Sequence, residues 1–317
     1  MEKWKDGIWG LVTADALGVP VEFRSRMQME KDSVIDMREY GTHSQPKGTW
    51  SDDSSMVFAA MDSIIRKKGI DYKDIMTAFQ SWVYDAEYTP HGTVFDIGNA
   101  TFQAIRRFKS GDTPLSCGGI EERDNGNGSL MRILPVCLYL IDREKKCCMS
   151  ADEEVQTIHN ASALTHAHLR SMMGCGLFYF CVKALVEEKE NVKERLQRGL
   201  DAGFSYYRRD FRNYKELSNY DRLTDLDKFE KTPAGEIRGS GYVVATLEAA
   251  IWCLLTTGSY KEATLKAVNL GEDTDTVGAV TGALAGLYYG AEDIPAEWIE
   301  VLARKEWIQG LIDQIIE

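Results

Sequence analysis

Apolar residues recur along this chain at helical spacing. Met56, Val57, Ala60, Met61, Ile64 and Ile65 fall at i, i+1, i+4, i+5, i+8 and i+9, one stripe of a helix that runs out near Gly69. Ile75, Phe79, Trp82 and Val83 repeat the pattern, as do Ile308, Leu311, Ile312 and Ile315 near the end. The segments beginning near Leu169 and Val243 are apolar almost all round, which predicts central, buried helices. Strand-like alternation is scarce, and residues 34–37 are the one run that suggests it. A helix predicted over 276–289 carries Gly278, Gly282 and Gly286 at four-residue spacing. Glycine inside a helix costs about 1 kcal/mol relative to alanine. A face this small predicts a closely packed partner, and that packing would fix the loop just before the helix. With seven prolines, no Ser- or Gly-rich linker and no repeat, the expectation is a single compact all-α, multi-helix domain over residues 1–317.

Charge narrows the partners. Lys and Arg total 37 against 49 Asp and Glu, a formal charge of −12. That balance argues against general nucleic-acid binding, which needs surplus cations for the phosphate backbone, and against an anionic membrane surface. Seven cysteines, with Cys147 and Cys148 adjacent and no C-x-x-C pair, suggest neither a disulfide framework nor a zinc ribbon. The first residues lack the unbroken apolar core of a signal peptide. Of the two most apolar stretches, 241–255 is interrupted by Glu248 and 278–291 is too short to span a bilayer. The expected compartment is the cytoplasm.

Two acidic clusters carry the candidate chemistry. Ser51-Asp52-Asp53-Ser54 precedes the Met56 helix, and Gly271-Glu272-Asp273-Thr274-Asp275-Thr276 precedes the glycine-faced one. Helix capping accounts for one side chain in each cluster. A second carboxylate one or two residues away adds repulsion that a hard cation would relieve, and an all-oxygen donor set favours Mg²⁺ or Mn²⁺ over zinc. The segment 118–132 is a glycine-rich loop running toward a predicted helix. Gly126, Asn127 and Gly128 are expected in left-handed conformations that turn their N–H groups inward, and Ser129 and Leu130 are expected to start the helix. A phosphate or pyrophosphate would suit such a loop; an ordinary glycine turn is the plain alternative. In 13–22, Gly18 and Pro20 read as a helix stop flanked by Asp15 and Glu22. His166 and His168 cannot complete a zinc site without further ligands, so His166 reads as a hydrogen-bonding group. Tyr206, Tyr207, Arg208, Arg209, Phe211, Arg212 and Tyr214 read as a surface segment with snorkelling arginines.

Taken together, ADALGVPVEF, GTWSDDSSM, VFDIGNAT, NGNGSLMR, LTHAH, SGYVVATLEAA and GEDTDTVGAVTGALAGLYYG, in that order, resemble the ADP-ribosylglycohydrolases. The likeness is strongest to the bacterial branch similar to dinitrogenase reductase-activating glycohydrolase. It implies a compact all-α fold, two Mg²⁺ (or Mn²⁺) ions, and release of ADP-ribose from an ADP-ribosylated protein or small ADP-ribosyl substrate, arginine-linked before other linkages. Position by position, it implies Ser51, Asp52, Asp53, Asp273, Asp275 and Thr276 around the metals, with Glu22 nearby. It implies Asp96 against the distal ribose with Asn99 beside it, and Asn127, Gly128, Ser129 and Met131 in the diphosphate and ribose loop. His166 and Tyr242 are implied as ligand contacts, and Asp53 or Asp96 as general base. The family usually has threonine where Ser51 stands, a change that keeps the hydroxyl. Two other readings share these features: a non-catalytic ADP-ribose-binding or structural relative, and a Mg²⁺-dependent nucleotide phosphohydrolase. Product identity separates them, because only the glycohydrolase releases free ADP-ribose.

Overall fold

The computed structural model describes residues 2–144, 149–187 and 190–316; the Cys147–Cys148 pair lies outside them. Among the described residues every regular element is helical, and β pairing is confined to the isolated bridges Tyr40–Gln45, Gly119–His166 and Gly126–Tyr242. The all-α expectation therefore holds. The strand-like run at 34–37 forms no strand. The amide side chain of Asn269 completes its backbone instead, accepting from the Val34 N–H and donating to the Val34 carbonyl, both at 2.8 Å. A single side chain thus supplies the two bonds that a neighbouring strand would have made.

The amphipathic stripes become helices at Asp52–Lys67, Tyr72–Asp85 and Lys305–Ile316. The first is a wedge between two apolar clusters. Its Val57, Phe58 and Met61 join the main core, whereas Met56 and Ala59 pack with Ile75, Phe79 and Trp82 in a smaller one. Helices Leu169–Val186 and Val243–Leu255 run through the centre, and every residue of the latter is buried. By length and composition Leu169–Val186 is apolar enough to cross a membrane, a candidate that the apolar stretches picked from the sequence did not include. Its window is 72% buried within the fold, which suits a core helix. In the basic–aromatic segment, Arg209 stacks 4.1 Å over half-buried Tyr206 and Arg208 lies 5.3 Å from the ring centroid of buried Phe204, whereas Tyr207, expected at the surface, is buried in the main core.

The glycine face does what its spacing predicts. Helix Thr274–Tyr289 packs along Glu2–Gly18, and a Cβ added at Gly278, Gly282 or Gly286 would come within 2.7, 2.2 and 2.2 Å of the carbonyls of Ala14, Gly10 and Asp6. The contacts run in opposite chain directions, so the two helices are antiparallel. The end of the first helix consequently meets the start of the second, where the Thr274 hydroxyl donates to the Gly18 carbonyl at 2.8 Å. This junction places Asp15 and Glu22 against Asp273 and Asp275.

Candidate active site

Asp15 sits on an otherwise apolar helix face and is fully buried. Its carboxylate accepts from the N–H groups of Ser51 and Ser54, at 3.0–3.1 Å, and from the Ser54 hydroxyl at 2.5 Å. It therefore caps helix Asp52–Lys67 from another element, alongside the Ser51 hydroxyl, which accepts from the Asp53 N–H at 3.3 Å. With the orphan N–H groups satisfied in this way, Asp52 and Asp53 are not needed as caps. Asp53 accepts instead from the Thr276 hydroxyl at 3.3 Å, across 223 residues of sequence. Asp15, Asp53 and Asp275 bring carboxylate oxygens within 4.8 Å of one another, and so do Glu22, Asp273 and Asp275. Asp52 lies close enough to feel the charges of Asp96, Asp15 and Asp273.

This gathering suits a divalent cation. One oxygen of Asp53 and one of Asp275 are buried with no hydrogen-bond partner, and every donor atom of the Ser51–Asp53 and Asp273–Thr276 clusters is a hard oxygen. Electrostatics agrees. Burial, followed by neighbouring carboxylates, pushes Asp52, Asp53 and Asp275 well above the usual carboxylate range. Burial also raises Asp273, opposed by the hydrogen bond from Asn127. Glu22 rises from 4.5 to about 10, through burial and then the charges of Asp96 and Asp273. Asp15 rises from 3.8 to about 7 through burial, opposed by its bonds from Ser54 and Ser51.

Folded-state pKa values above the unfolded ones mean that the folded chain holds extra protons. The corresponding stability is complete below about pH 4 and is lost as pH rises through about 7 for Asp15 and about 10 for Glu22. The metal-free protein should melt lower at pH 8.5 than at pH 5.5. Mg²⁺, which favours the ionised carboxylates, should add more to the melting temperature at the higher pH. An equal Mg²⁺ increment at both values in thermal unfolding would contradict this account.

The glycine loop is stitched to the acids. Asn127 donates to Asp273 at 2.8 Å and to the Thr246 hydroxyl at 2.9 Å, and its own N–H donates to the Gly241 carbonyl at 3.0 Å. Two sequence expectations change here. Gly126, Asn127 and Gly128 are not among the positive-φ residues. Glycine is required at 128 by proximity, since a Cβ there would lie 2.8 Å from the His166 ring. Nor does a helix start at Ser129. Residues 127–131 make one turn, and the helix begins at Leu134. Pro135 sets that start, because proline is tolerated only in a helix's first turn. The Ser129 side chain faces inward, accepting from Ser162 at 2.9 Å, and Met131 packs into the smaller apolar cluster. Both side chains are thus taken up by the interior.

His166 is buried behind the loop, hydrogen-bonded to the Thr165 hydroxyl at 2.9 Å, which also accepts from Arg132 at 2.7 Å. Burial and the Arg132 charge lower its pKa to about 3, so the imidazole is neutral near pH 7. Tyr242 is half-buried at the start of helix Val243–Leu255, and its hydroxyl accepts from Arg170 at 3.1 Å.

Asp96 joins the acids on the Glu22 side. The cap of helix Asn99–Lys109 is Gly98, so Asp96 has no capping role there. Asp96 has φ +52 and brings its carboxylate within 4.8 Å of Glu22 and His43, whose ring hydrogen-bonds Glu22. Asn99 is exposed beside a cleft of about 650 Å³ that Gln103, Arg107, Gly118, Gly119 and Asp124 also line.

Against this geometry, a model of the ADP-ribosylglycohydrolase family matches residues 1–317. The chain belongs to the ADP-ribosylglycohydrolase family. A relative named ADP-ribosylarginine hydrolase Tri1, from Serratia proteamaculans, is 30% identical over 316 residues, covering 99% of this chain and 79% of its own. ADP-ribosyl-[dinitrogen reductase] glycohydrolase from Rhodospirillum rubrum is 28% identical over 305 residues, covering 93% of this chain and 88% of its own. A solved structure described as an ADP-ribosylglycohydrolase-related protein complex superposes with a TM-score of 0.77 at 27% identity, covering 99% of this chain and 97% of the other. In this family member the structure adds to the site Asp15, which the sequence had placed only beside a helix stop, and His43. A lone aspartate in GLVTADALG signalled Asp15, because an acid on an apolar helix needs partners. Nothing in the local sequence singled out His43.

Proposed function

We propose that this chain hydrolyses the N-glycosidic bond of ADP-ribosylated arginine and releases ADP-ribose. The observation that carries the reading is the junction of buried, partnerless carboxylate oxygens with a glycine loop tied to them through Asn127. Names of relatives supply the arginine linkage, and family membership supplies the glycosidic bond. Ser51, Asp52, Asp53, Asp273, Asp275 and Thr276 would hold two Mg²⁺ or Mn²⁺ ions. Such ions, when bound, orient ribose hydroxyls and lower the pKa of a water.

The chain's own groups do the rest. Asp96, at the acids' open edge, takes the proton of the attacking water as its oxygen bonds to the anomeric carbon. The carbon–nitrogen bond breaks, its electron pair stays on the guanidino nitrogen, and that nitrogen takes up the proton Asp96 removed from the water. His43 holds the Glu22 carboxylate toward Asp96. Backbone groups of residues 127–131 keep the diphosphate in register with the acids, and neutral His166 stiffens the loop from behind. Cytoplasmic location suits a reaction on intracellular modified proteins and belongs to the same proposal.

A panel of defined linkages tests the reading: ADP-ribose attached to arginine, to serine, as its O-acetyl ester, and to nucleic acid. Free ADP-ribose from the arginine conjugate, abolished by excess chelator and restored by Mg²⁺, is the expected result. Orthophosphate or AMP as product would show a phosphohydrolase, and ADP-ribose binding with no turnover of any conjugate would show a non-catalytic relative.

A further inference from the structure

One feature of the acidic mouth is not explained by metals, the diphosphate or packing. Phe23 follows Glu22 directly, yet its side chain is 68% exposed and its backbone has φ +63. A large aromatic residue in the left-handed region is strained, and asparagine or glycine would sit there at less cost. The strain is held by backbone bonds, Phe23 N–H to the Glu272 carbonyl at 2.6 Å and Glu272 N–H to the Arg24 carbonyl at 2.7 Å. A ring placed for packing would be buried; this one is presented to solvent.

It does not stand alone. The Phe23 ring centroid lies 5.9 Å from that of His43, and His43 lies 5.2 Å from Phe95, both tilted. Three rings from three separate segments thus form a ridge. At its centre His43 hydrogen-bonds Glu22, and the carboxylates of Glu22 and Asp96 lie within 4.8 Å of the imidazole. Aromatic faces beside carboxylates complement one chemical class best: a planar, delocalised cation, which stacks on the rings while its N–H groups donate to the acids.

We propose that the Phe23–His43–Phe95 ridge, beside the Glu22 and Asp96 carboxylates, is the subsite for the guanidinium of the modified arginine. This rests on the arginine-glycohydrolase reading and adds the specificity element. Serine, O-acetyl and nucleic-acid linkages present no such cation at that point, so the ridge distinguishes arginine conjugates from the others. Phe23 and Phe95 are specificity residues, and His43 positions Glu22 between them.

The experiment compares wild type with Phe23→Gly, Phe95→Leu and the double variant. Phe23→Gly relieves the left-handed strain and keeps the N–H bond to Glu272, and Phe95→Leu keeps apolar bulk while removing the aromatic face. KM for an ADP-ribosyl-arginine peptide should rise roughly threefold for each ring and about tenfold for both, given the strength of exposed cation–π contacts. Values of kcat and the Kd for free ADP-ribose should hold, and Phe23→Gly should not lower the melting temperature. Unchanged KM, or a loss of ADP-ribose affinity that matches the KM rise, would overturn the proposal. So would a lowered melting temperature for Phe23→Gly with KM intact, since that outcome assigns the ring to packing. A second readout is independent of turnover. Agmatine, added with saturating ADP-ribose and Mg²⁺, should bind wild type and bind the double variant roughly tenfold more weakly. If no conjugate is hydrolysed but this difference is found, the ridge stands and the hydrolase reading fails. Equal agmatine binding by both proteins would remove the ridge.

Discussion

Asp96→Asn should lower ADP-ribose release by roughly 10²–10⁴-fold, the range expected when a general base is lost, while the protein stays folded. The substitution isolates the charge. Asparagine tolerates the left-handed backbone that Asp96 adopts at φ +52, and it keeps the side chain's size and one acceptor oxygen. The helix that follows is capped by Gly98, so no cap is disturbed. Removing one negative charge also removes one of the neighbours that raise Glu22 and Asp52, so stability in the metal-free state should hold or increase. Steady-state turnover of an arginine conjugate, with ADP-ribose affinity by calorimetry, gives the answer. Turnover within a few-fold of wild type would remove Asp96 from proton transfer.

Asp275→Asn should abolish the response to divalent cations. Asp275 belongs to both three-carboxylate groups, one of its oxygens is buried and partnerless, and its other oxygen accepts from the Thr276 N–H at 2.9 Å. Asparagine preserves that bond and removes the charge, so the fold should survive. In wild type, Mg²⁺ at a hundred times its Kd should stabilise the protein by about 2.7 kcal/mol. The variant should show little of this, and its metal-free form should melt no lower than wild type at pH 8, where an unpaired buried carboxylate costs most. Turnover should fall on the order of 10³-fold or more, because several kcal/mol of charge stabilisation are lost. A wild-type-sized Mg²⁺ shift in Asp275→Asn would mean that the partnerless oxygen is not a ligand position.

Much of this molecule is readable locally. The 3.6-residue stripes at Met56–Ile65 and Ile308–Ile315 decided the helices, because burying an amphipathic face needs only the right spacing. The Gly278–Gly286 spacing decided that a second backbone would lie against that helix, because nothing else offsets glycine's cost in a helix interior. The paired acids decided that an unusual charge density had to be managed. Tertiary structure decided what local spacing cannot express. The antiparallel contact between Glu2–Gly18 and Thr274–Tyr289 chose which acids meet, and it turned Asp15 from a solitary residue into an external cap for helix Asp52–Lys67. Tertiary packing elsewhere set residues 127–131 as a turn whose glycine answers to the His166 ring rather than to a left-handed φ, and gave Asn269 the bonds that residues 34–37 would have sought in a strand. These outcomes depend on partners far away in the chain. Periodicity reports which face of an element must be buried, and only the fold supplies what that face meets.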